Sequence, residues 1–285
     1  MTPVSFLTRR RFIRSLAAAS LVTRAGFAAR SKLRIGVTDW NLKLGADPQS
    51  IPLAAQLGFD GVQVSFGRKL VDGKLPVDNP EVIAHYLELS KTYKIPIDGT
   101  CVDKLHDNGL KSDRLAPHWV LDSIRLTQAL QTKVLLLPFF GKWALQTAAD
   151  MDHTVEALRE LAPEAVKADV ILGLENTISA EDNARILDRV ASKNVLVYYD
   201  VGNSTNAGFD PVKEIRWLGK KRICQIHLKD NPHYLGEGTI QFGPILHVIR
   251  DIGFSGYANL ETDAQPGTLE ADMRRNLLYV RKLLA

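Results

Sequence analysis

Eight short apolar segments alternate with helix-like segments from residue 33 to the end of the chain. Each apolar segment is rich in Val, Ile and Leu and is bounded by Gly, Pro or Asp, which is typical of buried β-strands. The segments are LRIGVTDW, GVQVSF, IPIDGTCV, KVLLLPFF, VILGLENT, VLVYYDVGN, RICQIHLKD and GYANLETD. Between them, apolar residues recur at spacings of three and four, as in PEVIAHYLELSKTY, SAEDNARILDRVAS and FGPILHVIRDIG. The alternation predicts a parallel sheet covered by helices.

The number of repeats indicates how that sheet is arranged. Eight strand–helix pairs in about 250 residues predict an α/β fold of the closed (β/α)8 type, a TIM barrel, more than an open sheet. No Gly-x-Gly-x-x-Gly motif follows the first predicted strand, so a dinucleotide-binding fold loses its main support. No Pro-, Gly- or Ser-rich linker divides residues 31–285. We therefore expect a single barrel domain over residues 31–285.

Residues 1–30 differ from the rest of the chain and resemble a twin-arginine export signal. TRRRFIRSLAAASLV places Arg9 and Arg10 before a modest apolar run, and Gly26 and Ala28 offer a small-residue cleavage site. The alternative is a basic amphipathic tail. With the signal interpretation, the mature protein is periplasmic or secreted, and it has no stable membrane insertion after the signal is removed.

The charge distribution argues against a nucleic-acid partner. The formal net charge is +4, but six arginines and no acidic residue precede residue 31. Without those six charges the chain carries about −2, so its high isoelectric point says little about nucleic acid. The sequence leaves the oligomeric state open, including a homo-oligomer.

Four consecutive predicted strands end on side chains that can bind a metal, namely Glu175, Asp200, His227 and Glu261. Active sites of such barrels lie at the C-terminal ends of the strands, so these side chains should meet at one rim. Three carboxylates would repel one another in a low-dielectric barrel mouth unless a cation offset them. A lone strand-end carboxylate is more often a helix cap or loop-closing acceptor. The set of four, however, suits a divalent Mn²⁺, Mg²⁺, Co²⁺ or Zn²⁺ ion.

Several motifs resemble one known family over nearly the whole chain after the signal segment. They are LGLENT, YYDVGNS, IHLKD, GEGTIQFGPIL and GFSGYANLET. These motifs are similar to those of the xylose isomerase-like TIM-barrel family of sugar isomerases and epimerases. That family includes ketose 3-epimerases, hydroxypyruvate isomerases and inosose dehydratases.

The resemblance implies a metal centre and a pair of catalytic residues. One divalent ion, Mn²⁺ before the others, is expected on Glu175, Asp200, His227 and Glu261, and the two glutamates are expected to act as the acid/base pair. Isomerising or epimerising a sugar requires removal of a carbon-bound proton next to a carbonyl and stabilisation of an enediolate. A metal stabilises that charge as a Lewis acid, and two carboxylates can exchange protons on opposite faces of the substrate. The expected partner is therefore a small-molecule carbohydrate.

Two other functions stay open at this point. A lyase or dehydratase acting on a keto-sugar or inosose would use the same enediolate to expel a substituent. A non-catalytic carbohydrate-binding barrel is the second alternative, although binding alone would not need a matched pair of glutamates. A related DNA-repair endonuclease fold with three zinc ions does not fit a chain with only 7 histidines, few of them at strand ends.

Three polar residues near the strand ends are candidate substrate contacts. Asn203 stands where many epimerases of the family have a histidine, and Asn cannot relay a proton. Lys229 shares the strand parity of His227, so it can bind an anionic substrate oxygen or pair with a local acid. Glu181 matches a substrate-contacting position of some ketose epimerases, but it also fits a helix start capped by Ser179.

Three further candidates are the aromatic residues Trp40 and Phe66, which could form an apolar wall for a sugar, and His233 in the loop after the seventh strand. Packing in the core is the alternative for each aromatic residue. Four other histidines are expected to be solvated in helices or loops: His106, His118, His153 and His247.

Replacing Arg9 and Arg10 together by Lys should block export, because the charge is kept while the twin arginine is lost. Immunoblots of cell fractions should then show uncleaved, folded protein in the cytoplasm, whereas Arg24→Lys should leave export unchanged. Continued secretion of the double variant with cleavage near Ala28 would contradict the twin-arginine interpretation.

Overall fold

The computed structural model of the protein describes residues 33–264 and 267–285, and the predicted signal segment lies outside them. The described residues form a closed barrel of eight parallel strands in sequence order, with the last strand paired to the first. The predicted fold is therefore confirmed. The strands are β1 (Arg34–Thr38), β2 (Val62–Ser65), β3 (Ile97–Cys101), β4 (Val134–Pro138), β5 (Ile171–Glu175), β6 (Val195–Asp200), β7 (Ile223–Leu228) and β8 (Tyr257–Leu260).

Helices alternate with these strands, and several begin at the caps that the sequence provides. Asn79 accepts a hydrogen bond from Glu81 N, and Thr147 forms a capping box with Asp150. The helices are α1 (Ser50–Leu57), α2 (Pro80–Tyr93), α3 (Ala116–Ala129), α4 (Ala148–Lys167), α5 (Ala180–Val190), α6 (Val201–Asn206), α7 (Pro211–Leu218), α8 (Phe242–Asp251) and α9 (Leu269–Leu284). None of the helices described has the length and hydropathy needed to cross a membrane.

The segment after β6 reads GNSTN at residues 202–206, a composition typical of a loop, but these residues belong to α6. Asp200 ends β6 and also caps this helix, since its Oδ1 accepts a hydrogen bond from Asn203 N at 2.7 Å. Glu214 of α7 holds the same region in place by accepting hydrogen bonds from Tyr199 Oη at 2.9 Å and Ser204 Oγ at 2.8 Å. It accepts a third from Ala180 N at 2.8 Å. These contacts join β6, α5, α6 and α7.

The interior of the barrel is polar below its C-terminal rim. Asp98 Oδ1 accepts hydrogen bonds from Gln225 Nε2 at 2.8 Å and from Asn259 Nδ2 at 2.9 Å, and all three side chains are buried. Burial raises the pKa of Asp98 to about 7. Gly36 leaves the space for this network, because a Cβ atom there would lie 2.0 Å from Asn259 Oδ1. The apolar core therefore lies mainly between the strands and the helices.

Replacing Glu214 by Leu should lower the free energy of unfolding by about 2–4 kcal/mol, because three donors lose a charged acceptor. Urea unfolding followed by circular dichroism measures the change. Glu164→Leu, at an exposed position on α4, is the matched control and should stay within about 0.5 kcal/mol. An equal effect of both substitutions would show that Glu214 does not hold the helices after β6.

Candidate functional site

The structure brings the four predicted metal-binding side chains together at the C-terminal rim of the barrel. Glu175 ends β5, Asp200 ends β6, His227 is the penultimate residue of β7, and Glu261 follows β8 directly. Asp200 and His227 are register partners in neighbouring strands. One ligand atom from each of the four residues lies within 4.8 Å of the others. Four residues from separate strand–helix repeats thus form one compact cluster.

The orientation of His227 suits a shared cation. Its Nε2 lies 2.8 Å from Gln63 Oε1, an atom that can only accept, so this nitrogen carries the hydrogen. Its Nδ1 then faces three carboxylate oxygens, Glu175 Oε1 at 3.1 Å, Glu261 Oε2 at 3.4 Å and Asp200 Oδ2 at 3.7 Å. A neutral imidazole would direct a lone pair at all three oxygens, an arrangement that a metal ion stabilises.

The pKa values of the cluster also indicate a shortage of positive charge. Burial raises the pKa of Asp200 to about 8, with Glu261 and Glu175 adding to the effect and Lys229 opposing it. Burial opposes ionisation of Glu261 as well, but the charges of His227 and Lys229 outweigh it and lower the pKa of Glu261 to about 2. The same carboxylates raise the pKa of His227 against its burial. Protons therefore occupy the cluster when no cation does, and metal binding would displace them.

Lys229 pairs with local acids, one of the two expectations for it, and its side chain also lines the cavity. Its Nζ lies 2.6 Å from Glu261 Oε2 and 3.0 Å from Asp200 Oδ2. Asp200 Oδ2 is buried and accepts no well-oriented hydrogen bond from the described residues. One lysine against three carboxylates leaves two negative charges, which match a divalent ion. The residues present therefore fit the metal that the sequence predicts.

A cavity of about 310 Å³ lies above the cluster, near the lower limit of the ~300–1,000 Å³ usual for small-molecule sites. Glu175 and Glu261 both line it, and each is held by a neighbouring donor. Asn203 Nδ2 donates to Glu175 Oε1 at 3.2 Å, and Trp40 Nε1 donates to Glu261 Oε1 at 3.1 Å. The lining residues are Trp40, Arg68, Cys101, Asp103, His106, Leu136, Pro138, Phe140, Glu175, Asn203, Lys229 and Glu261.

Three of the predicted substrate contacts do not line this cavity. Phe66 is fully buried in the core, because it has the opposite strand parity to Gln63, whose side chain points into the barrel. Glu181 is exposed in the first turn of α5, and the helix-start interpretation holds because Ser179 caps that helix. His233 is exposed in the turn after β7, where its backbone N–H bonds to Asp230 O at 2.8 Å.

Seven cavity residues were not among the sequence predictions, and four of them carry charged or aromatic side chains: Arg68, Asp103, His106 and Phe140. His106 ends a short 3-10 helix, Asp103–His106, after β3, in line with the expected helix or loop position, and its half-buried side chain lines the cavity. Its ring stacks on Phe140, with the ring centroids 6.3 Å apart. The rule that sites lie just beyond strand ends would have found Asp103 and Phe140.

Comparison with known proteins gives a matching family and a curated relative. The sequence profile described as "Xylose isomerase-like TIM barrel" matches residues 51–283. A 2-epi-5-epi-valiolone 7-phosphate 2-epimerase from Actinoplanes sp. (strain ATCC 31044 / CBS 674.73 / SE50/110) is 28% identical over 209 residues. The match covers 73% of this chain and 76% of that protein.

Solved structures of low sequence identity share the fold. The 3-keto-D-glucoside 4-epimerase of E. coli superposes with a TM-score of 0.72 at 17% identity, over 88% of this chain and 100% of the other. The D-psicose 3-epimerase of Clostridium cellulolyticum H10 gives a TM-score of 0.74 at 18% identity, over 88% and 99%. The profile match covers most of the chain and both cluster and barrel agree with it, so the chain belongs to the xylose isomerase-like TIM barrel family.

Proposed function

We propose that this protein is a sugar isomerase or epimerase that depends on one divalent metal ion, with Mn²⁺ as the first candidate. The observation that carries the proposal is the pair Glu175 and Glu261, which line one cavity directly beside a cluster fitted to a cation. The names of the Actinoplanes relative and of both structural neighbours describe epimerases, which supports the same class of reaction.

The two glutamates reach the cavity from different parts of the barrel, Glu175 from β5 and Glu261 from the end of β8. A divalent ion on the cluster would supply Lewis-acid stabilisation of the enediolate charge. Among the described residues, Glu175 Oε1 accepts a hydrogen bond from Asn203 and faces His227 Nδ1, so Oε2 is the atom proposed to take the substrate proton. Glu261 accepts hydrogen bonds at both oxygens, from Trp40 and Lys229, and is proposed to pass a proton taken up from solvent to the other face.

The contact between Asn203 and Glu175 keeps a dehydratase as the second candidate. Asn203 Nδ2 lies 3.2 Å from Glu175 Oε1 and orients the carboxylate, but an amide cannot return a proton. An enzyme with this site could therefore complete the reaction by reprotonation from Glu261 or by loss of a β-substituent. Both candidates share the first step, removal of a carbon-bound proton.

Exchange of substrate protons with solvent tests the proposal directly. The metal-loaded protein is incubated in D₂O with a panel of keto-sugars, and deuterium incorporation is followed by NMR. Deuterated sugar with inverted or isomerised carbon supports the epimerase, and a dehydrated product supports the lyase. Sugar binding with neither exchange nor elimination would establish a non-catalytic binding barrel instead.

Glu175→Gln and Glu261→Gln should each lower turnover by a factor of ~10² to 10⁴, because the amide cannot act as a base. Metal binding should weaken only partly, since the amide oxygen can still coordinate. One of the two variants should retain proton exchange from its intact side without completing the inversion. Glu181→Gln, at the exposed start of α5, is the control and should keep wild-type turnover. Near-normal turnover in both cavity variants would rule out the two-carboxylate mechanism.

Removing a proposed ligand should lower metal content and thermal stability together. Elemental analysis should show less metal in Asp200→Asn and His227→Ala than in the wild-type protein. Gln63→Leu should weaken metal affinity by about 10–100-fold, because His227 loses the acceptor that orients it. Glu181→Gln changes an exposed carboxylate outside the four-residue cluster and is the control, which should keep the wild-type metal content and thermal stability. Full metal occupancy in both ligand variants would refute the assignment of the centre.

A further inference from the structure

The part of the cavity remote from the metal-binding cluster has an acceptor built into its wall. Asp103, His106 and Phe140 line this outer wall together with Arg68. Asp103 opens the short helix after β3, and its Oδ2 is held by a hydrogen bond from Gly67 N at 2.9 Å. The carboxylate is therefore fixed where it meets whatever fills the cavity, and the catalytic proposal assigns it no role.

The positive charges beside Asp103 are already matched by carboxylates. The guanidinium of Arg68 forms an ion pair with Asp107, and Lys104 Nζ lies 3.0 Å from the other oxygen of the same carboxylate. Lys104 also donates to the backbone oxygen of Arg68 at 3.2 Å. Arg68 and Lys104 are thus both bonded to Asp107, and with Asp103 and a neutral His106 the side chains of this wall sum to zero charge.

The charges of the metal-binding cluster, which forms the floor of the cavity, also sum to zero once a divalent ion is bound. Glu175, Asp200 and Glu261 contribute three negative charges, and Lys229 with a divalent ion contributes three positive ones. His227 binds a metal as a neutral imidazole and changes nothing in this sum. A substrate without charge keeps both floor and wall neutral, whereas a phosphate ester adds ≈ −1.5 to −2 beside Asp103.

Resting on the proposed function, we propose that the substrate is an uncharged carbohydrate whose hydroxyl groups donate to Asp103, and that the outer wall excludes phosphorylated sugars. Phosphate and carboxylate are both acceptors, so neither can satisfy the other without taking up a proton. A hydroxyl group, in contrast, supplies the donor that a fixed carboxylate needs. The inference concerns the charge class of the ligand and is independent of which carbon reacts.

Matched pairs of ligands test this on the full-length, Mn²⁺-loaded protein by isothermal titration calorimetry. The probes are D-fructose, D-psicose and D-tagatose, each compared with its 6-phosphate. We expect at least one free sugar to bind about tenfold or more tightly than its phosphate ester, because like charges at a contact are strongly unfavourable. A phosphate ester that binds as tightly as its free sugar would overturn the inference, as would failure of every free sugar to bind.

Substitution of Asp103 by Asn assigns the discrimination to this residue. The variant should bind the free sugar roughly 10- to 100-fold more weakly, the usual range for losing a hydrogen bond to a charged group. Its preference for the free sugar over the phosphate should fall as well. Asp113→Asn makes the same change in net charge at a residue that does not line the cavity, and should leave both affinities unchanged. Equal effects of the two variants would overturn the role of Asp103.

The outcome is separable from the proposed function. Free sugars that bind in preference to phosphates without proton exchange in D₂O would support the inference and refute the enzyme. Exchange on a phosphorylated sugar in preference to the free sugar would support the enzyme and refute the inference.

Discussion

The contact between His227 and three surrounding carboxylates is the constraint on which the rest of the site depends. Three acids and an imidazole within 4.8 Å of one another cannot be buried without compensation. Gln63 fixes the ring from below and Lys229 offsets one negative charge from the side. The remaining two charges are what a divalent ion would supply, and this charge balance is the basis for proposing a metal centre here.

This requirement also explains the unusual interior of the barrel. A layer of aliphatic side chains under His227 would leave its Nε2–H without a partner, at a cost of about 1–3 kcal/mol for a buried donor. The interior instead carries Gln63, which is hydrogen-bonded to Tyr198 at 3.0 Å and borders the Asp98 network. Apolar residues of the same strands, such as Phe66, point outward and pack under the helices. Successive side chains of a strand point to opposite faces of the sheet. The polar residues that hold the site therefore lie inside the barrel, and the apolar core lies outside it.

The barrel and the four-residue cluster could be predicted because they depend on local patterns. Strand–helix alternation and strand-end position identify Glu175 and its partners without knowledge of distances. α6 was missed because Gly202 and the polar residues after it favour a loop, and only the Asp200 cap and the Glu214 contacts stabilise a helix there. Phe66 does not line the cavity, because the alternation of side chains along β2, continued by one residue, directs it toward the helices. His106 reaches the cavity from the short 3-10 helix after β3, and no hydrophobic periodicity in the sequence predicts that helix.

The two halves of the barrel therefore contribute differently to the cavity. β5 to β8 supply the whole cluster, with its motifs at the strand ends, while Trp40, Asp103 and Phe140 follow β1, β3 and β4. The cluster tolerates little change, because its three carboxylates share His227 and Lys229 as their partners. In the part of the chain that the structure describes, the wall from the first half is hydrogen-bonded to the cluster through Trp40 and Glu261 alone. Substitutions after β3 and β4 can therefore alter which carbohydrate fits while the chemistry below is retained.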